Sequence, residues 1–191
     1  MICGNNALRI SSILCTYRRP DTLSAAIQSL WNQTLSTNEY EVIVVDNNSR
    51  DGTAGIVRKH QRDGGCHLRY VLERQQGLSH ARNRGVREAR AEIVAFLDDD
   101  AVAEPKWLSS LLDVYDRFAD AWAAGGRVAP IWGAKRPNWL HDGMLRSLSL
   151  VDWGDEERPL QWPERVIGTN LSFRKRAFSE IGTFAPSLGR R

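Results

Sequence analysis

An α/β architecture, a mostly parallel sheet flanked by helices, is what the sequence predicts. Over residues 1–122 short apolar runs alternate with amphipathic segments of helical period, the rhythm of strand–helix–strand units. The apolar runs are continuous rather than alternating, as strands covered on both faces require. Turn and capping residues separate the two kinds of segment.

The first strand is expected over residues 10–15. After Pro20-Asp21, Leu23, Ala26, Ile27 and Leu30 fall at i, i+3, i+4 and i+7, so an amphipathic helix with proline in its first turn follows. A second strand spans 41–45, and a helix over 52–62 starts at Asp51-Gly52-Thr53 and stops at Asp63-Gly64-Gly65. Residues 68–72 make a third strand, 78–89 a third helix and 92–97 a fourth strand. The helix over 106–118 follows Pro105 and gathers Leu108, Leu111, Leu112, Tyr115 and Phe118 on one face. Beyond Ala123 the chain reads as loop-rich, punctuated by Gly125-Gly126, Pro130, Pro137, Pro159 and Pro163. Trp132, Trp139, Trp153 and Trp162 fall in that half, where they form either a sugar-binding wall or ordinary core packing.

With 191 residues and 42% apolar content, the chain is long enough for one well-buried domain. Its formal charge of +3 is small and dispersed, which argues against nucleic acid as a partner. Cys3, Cys15 and Cys66 are odd in number and lack ligand spacing, so neither a disulfide framework nor a zinc site is expected, and a reducing, cytoplasmic setting fits. Residues 1–8 lack the basic start and apolar core of a secretory signal, and no apolar run approaches the roughly 20 residues that span a bilayer. The basic clusters Arg18-Arg19, Arg174-Lys175-Arg176 and Arg190-Arg191 are either solvated faces or points of peripheral contact at the inner face of a membrane.

In open parallel sheets, ligands bind beyond the carboxyl ends of the strands. The residues there are polar: Thr16, Tyr17, Arg18 and Arg19, then Asp46, Asn47, Asn48 and Ser49, then Glu73, Arg74 and Gln75, then Asp98, Asp99 and Asp100. Three adjacent carboxylates after a buried strand repel one another, and hard oxygens of that kind suit Mg²⁺ or Mn²⁺ shared with substrate phosphates. A capping turn is the plainer account of Asp98-Asp99-Asp100, and Asn47-Asn48-Ser49 reads as a turn as well.

Five ordered blocks carry a resemblance: Ile13-Leu14-Cys15-Thr16-Tyr17-Arg18-Arg19-Pro20, Val44-Val45-Asp46-Asn47-Asn48-Ser49-Arg50-Asp51-Gly52-Thr53, Gly77-Leu78-Ser79-His80-Ala81-Arg82-Asn83-Arg84-Gly85, Phe96-Leu97-Asp98-Asp99-Asp100, and Gly168-Thr169-Asn170-Leu171-Ser172-Phe173-Arg174-Lys175. The chain resembles a family 2 glycosyltransferase of the GT-A fold over nearly its whole length. The resemblance implies one GT-A domain over 1–191, with a nucleotide-binding half over 1–122 and an incomplete acceptor-side half over 123–191. It implies an inverting transfer from a nucleotide-sugar donor, UDP-linked, to a saccharide or lipid-linked acceptor.

By the same resemblance Thr16, Tyr17, Arg18, Asp46 and Asn48 border the nucleotide, Asp46 accepting a uracil imide hydrogen, with Arg82 near the base or diphosphate. Asp98 contacts the ribose, Asp99 counts with it on the nucleotide side because the family's acidic motif registers on either overlapping pair, Asp100 with Asp98 binds Mn²⁺ or Mg²⁺, and Gly168, Thr169 and Asn170 lie beside the transferred sugar. His80, Lys175 and Arg176 are expected to be ordinary surface or packing residues. The resemblance puts the general base in an acidic pair following residues 184–191, beyond Arg191, so the chain as given is expected to bind a donor and to transfer poorly. Asp152, Asp155, Glu156 and Glu157 are the acidic residues available as a substitute. A nucleotide-sugar binding module without turnover is the competing reading. A sugar-nucleotide pyrophosphorylase would need a glycine-rich loop where residues 16–20 carry no glycine, and an aspartyl phosphotransferase would need Asp where Cys15-Thr16-Tyr17 stands.

Overall fold

The computed structural model describes residues 7–64 and 67–189. Cys3, Gly65, Cys66 and Arg190-Arg191 lie outside the described residues, as does most of the stretch read for a secretory signal. Along the chain come β1 (Ile10–Thr16), α1 (Pro20–Trp31), β2 (Tyr40–Asp46), α2 (Thr53–Asp63), β3 (His67–Leu72), α3 (Leu78–Glu88), β4 (Ile93–Asp98) and α4 (Trp107–Arg117). There follow β5 (Ala123–Gly125), a 3₁₀ helix (Asp142–Leu148), β6 (Leu171–Arg174) and the short α5 (Ala177–Glu180).

The sheet order is β3-β2-β1-β4-β6-β5. The strands from β3 to β4 run parallel, and β6 lies antiparallel between β4 and β5. Register aligns the carboxyl ends, with Thr16 beside Asp46 and Cys15 beside Asp98. The residues that follow β1, β2 and β4 are therefore delivered to one edge.

Each strand presents alternate side chains to opposite faces. Leu14, Val42, Val44 and Leu97 pack beneath α1 and α4, whose Leu23, Ile27, Leu30 and Leu108 are fully buried. Ile13, Ile43, Val45 and Phe96 pack on the other face against Ala81 and Val86 of α3 and against Phe173, Phe178 and Phe184. Burying a side chain of this size contributes about 2 kcal/mol. Gly85 lets α3 sit close to the sheet, because a Cβ there would fall 2.5 Å from the Ile13 methyl.

Beyond Ala123 the chain is loop-rich, as expected, and adds to the sheet the short strands β5 and β6. Ala123-Ala124-Gly125 has no β-branched residue, so its pairing is imposed by tertiary contacts rather than local propensity. The tryptophans of this half are not core: Trp132, Trp139 and Trp162 are exposed, and Trp153 donates its indole N–H to the Arg165 carbonyl at 3.0 Å. Lys175, expected in solvent, is half-buried with its ammonium on the Ala89 carbonyl, while Arg176 lies over the Trp122 ring at 5.3 Å. Among the described residues no helix is long and apolar enough to cross a membrane.

Candidate donor site

The β1–α1 turn begins with Thr16 and Tyr17 and passes through Arg18, a left-handed residue (φ 54°) whose N–H donates to the Ser49 hydroxyl at 3.1 Å. Bulky residues adopt that conformation only where surroundings impose it. Asp46, buried at the end of β2, accepts the Ser49 N–H (2.9 Å) on one oxygen and the Tyr70 hydroxyl (2.7 Å) on the other. Burial and this carboxylate push the Tyr70 phenol up to about 12.

Asn47 spends its whole amide on the neighbouring turn. Its Nδ2 donates to the carbonyls of Gln75 (2.6 Å) and Glu73 (3.3 Å), and its Oδ1 accepts the Gly77 N–H at 2.8 Å. Gly77 has φ 133°, a backbone state that favours glycine, and it starts α3. Asn47 thereby fixes where α3 begins and where Ala81 and Arg82 face.

At the end of β4, Asp98 accepts the Thr169 hydroxyl at 2.5 Å and has Arg82 at 3.8 Å. Asp99 is buried, and desolvation raises its carboxyl above the ordinary range against the lowering influence of Thr16 and Arg19. Asp100 is exposed and ion-paired with Arg19. The triplet therefore splits into three environments: one carboxylate tied to the 167–170 turn, one buried, one at the surface. Burial also pushes the Cys15 thiol up to about 12, leaving it a protonated, non-nucleophilic part of the wall.

A cavity of about 940 Å³ opens at this edge. Cys15, Thr16, Tyr17, Arg19, Asn47, Ser79, Arg82, Asp98, Asp99, Asp100, Gly168, Thr169, Phe184 and Leu188 line it, with Leu148 and Ser149. A second cavity of about 950 Å³ adjoins it across Asp100, Thr169, Leu148 and Ser149. Asn170 lines that second space, its Oδ1 accepting the Trp107 indole N–H at 2.9 Å and its Nδ2 donating to the Arg127 carbonyl at 3.1 Å.

A family model described as Glycosyl transferase family 2 matches residues 11–182. The chain belongs to glycosyltransferase family 2. It is 31% identical over 189 residues to the glucosyl-dolichyl phosphate glucuronosyltransferase of Haloferax volcanii, covering 96% of this chain and 58% of that protein. It is 30% identical over 192 residues to the succinoglycan biosynthesis protein ExoM of Rhizobium meliloti, with 97% and 58% covered. Among solved structures, S. aureus TarS residues 1–349 in complex with UDP matches with TM-score 0.73 at 20% identity, over 95% of this chain and 51% of that one. Mannosyltransferase PcManGT from Pyrobaculum calidifontis in complex with GDP-Man and Mn²⁺ matches with TM-score 0.67 at 22% identity, over 96% and 49%. The fold is that of the GT-A transferases. This chain spans 58% of the length of those two curated relatives.

In this glycosyltransferase chain the fold brings Thr16, Tyr17, Arg82, Asp98, Asp99, Asp100, Gly168 and Thr169 into one cavity. Arg18, Asp46 and Asn48 do not line it, and Asn170 belongs to the adjoining space. None of the four tryptophans of the second half lines either cavity; the tryptophan that does is Trp107. Of the acidic residues available as a substitute base, Asp152 pairs with Arg127 at 3.1 Å, and Glu157 pairs with Arg117 while lining the second cavity. Position after a strand singles out Arg19 and Asn47 without giving either a role, whereas Ser79, Phe184 and Leu188 arrive by tertiary contact.

Among the described residues no group of three or more His, Cys, Asp or Glu is arranged to hold a metal ion. Asp98 and Asp100 nonetheless fit a hard cation that takes its remaining ligands from a diphosphate, because such an ion needs only one or two protein carboxylates.

Proposed function

We propose that this chain carries the donor site of an inverting glycosyltransferase that uses a UDP-sugar with Mn²⁺ or Mg²⁺ and glycosylates a hydroxyl of a saccharide or lipid-linked glycan. One observation carries the reading: Thr16-Tyr17, Arg82, the acidic triplet and the Gly168-Thr169 turn, from distant parts of the sequence, line a single cavity at the carboxyl edge of the sheet.

In this reading Tyr17, 38% exposed at the rim, offers its ring to the nucleobase, and Asp46 orders the base-side loop through Ser49 and Tyr70. Arg82 supplies fixed positive charge to the diphosphate. Asp98 and Asp100 would hold the cation, which when bound supplies Lewis-acid stabilisation of the departing nucleoside diphosphate. Arg19, paired with Asp100, lines the same cavity and adds positive charge there for the anionic group. Thr169, hydrogen-bonded to Asp98, ties the sugar-side turn to the acidic one. Inversion also requires a general base for the acceptor hydroxyl, a role given to no residue described above. A cytoplasmic setting is part of the same reading, supported by the cysteine usage.

The test is calorimetric titration with UDP, with and without Mn²⁺, on the chain and on its Asp100→Ala variant. Metal-dependent binding that the variant loses is the expected result. A folded chain that binds no UDP with or without metal would sink the reading. Binding without turnover in a longer form would select the binding-module alternative.

A further inference from the structure

We propose that Asn83 is a positioning residue of this donor site, acting at a distance on Arg82 through the backbone of Phe184; the inference rests on the donor reading for its ligand, a nucleoside diphosphate, and on geometry for the rest. Asn83 is buried on α3, next in sequence to Arg82. Its Nδ2 donates to the Phe184 carbonyl at 2.8 Å, and its Oδ1 accepts the Phe184 N–H at 2.9 Å. A side-chain amide that meets both polar groups of one residue reproduces the exchange made by a hydrogen-bonded pair in an antiparallel ladder. It fixes that residue in position and rotation across 101 positions of sequence.

What is fixed is a wall of the cavity. The Phe184 ring packs edge-on against Phe96 at 5.4 Å and lies 5.6 Å from Phe178. The Arg82 guanidinium sits 5.5 Å from the Phe184 ring and 5.8 Å from the Phe96 ring, with Gly168 against its Nη2 and Asp98 at 3.8 Å. Arg82 is thus confined by two aromatic rings, a glycine and a carboxylate. Of these, Phe184 lies in an irregular stretch that follows Gly182 (φ 95°) and the 77% exposed Ile181. The two Asn83 bonds tie that stretch to the helical layer. Without them the ring wall is free to retreat, and Arg82 loses the confinement that holds its charge toward the ligand. Pre-organised charge binds more tightly than charge that must be ordered on binding.

The experiment follows the Arg82 Nε–H resonance by ¹⁵N–¹H NMR while UDP with Mn²⁺ is titrated by calorimetry and uridine by chemical-shift change. In the unaltered chain, ring currents from Phe96 and Phe184 displace that resonance from the free-arginine position. Asn83→Ala is expected to return it most of the way and to weaken UDP about tenfold while uridine stays within about twofold. Phe184→Leu keeps the backbone bonds and removes the ring, so it should move the resonance likewise; it carries the test if Asn83→Ala does not fold. Arg82→Ala combined with Asn83→Ala should bind UDP no more weakly than Arg82→Ala alone, as expected for residues that act through one group. An unmoved resonance in folded Asn83→Ala, or additive losses in the double variant, overturns the proposal. An unaltered chain that binds no UDP would instead defeat the donor reading, and the resonance would still decide what Asn83 does.

Discussion

Gly168 shows how one missing methyl group shapes the site. A Cβ at this position would lie 2.6 Å from Arg82 Nη2, so the guanidinium can occupy its place beside Asp98 only because residue 168 is glycine. Gly168→Ala is therefore expected to displace Arg82 and weaken UDP about five- to tenfold with little change in melting temperature, read by calorimetric titration beside a thermal melt. Asn47 acts at the same scale on stability. Its amide makes hydrogen bonds to Gln75, Glu73 and Gly77, and truncation leaves buried backbone groups unpaired. Asn47→Ala should cost about 2–3 kcal/mol in a urea unfolding curve, the range for several buried hydrogen bonds lost at once. Thr16, Asp98 and Asp100 were legible as site candidates because the chemistry of a parallel sheet is read from the residue after each strand. Asn47 occupies such a position too, yet its amide faces the next turn, and nothing local distinguishes Asn47 from Asn48. Phe184 was illegible for a different reason: its partner Asn83 is remote in sequence, and neither residue has a motif-like signature for the other.

At the level of elements, periodicity and capping located β1 through α4 to within about a residue, since buried parallel strands and amphipathic helices write their packing into composition. They could not locate β5 or β6. Those strands are short, and β5 exists because β6 pairs with it and because Gly125 leaves room for the Asn170 backbone carbonyl. The contact between α1 and α2 carries a pH dependence of its own. His60 lies against the Trp31 ring at 4.8 Å and meets the Ser24 hydroxyl at 2.9 Å, and burial lowers its pKa from the ordinary 6.5. The folded chain thus holds fewer protons at this site than the unfolded chain between the lowered value and 6.5. The associated stability is present above 6.5 and is lost as pH falls through the folded value. Urea midpoints at about pH 7.5 and about pH 5 should differ less in His60→Gln than in the unaltered chain, and equal differences would refute the assignment.

Across the whole molecule the two edges of the sheet have separate tasks. The carboxyl edge gathers the cavity, where Asp98 is tied to the 167–170 turn, Asp99 is buried and Asp100 is exposed. The amino edge is a closed charge network. Glu41, fully buried at the start of β2, accepts hydrogen bonds from the Ser11 hydroxyl (2.8 Å) and the Arg90 N–H (2.8 Å) and pairs with Arg69 at 3.1 Å. Arg69 in turn reaches the Glu88 carboxylate at 2.7 Å, and the Ser11 hydroxyl accepts the Ala91 N–H at 3.1 Å. This network pins the α3–β4 connection to the sheet. Register is already set by the apolar faces of β1 and β4, so weakening the network should loosen the fold before it misplaces the site. Glu41→Gln keeps the shape but removes the charge facing Arg69, which retains Glu88 as its partner, so the loss is that of charge-assisted hydrogen bonds at a buried carboxylate, about 2 kcal/mol. A urea midpoint lowered accordingly, with UDP affinity within about twofold of the unaltered chain under conditions where both remain folded, is the expected outcome. A tenfold loss of UDP binding in a folded Glu41→Gln would show instead that the amino edge controls the geometry of the donor site.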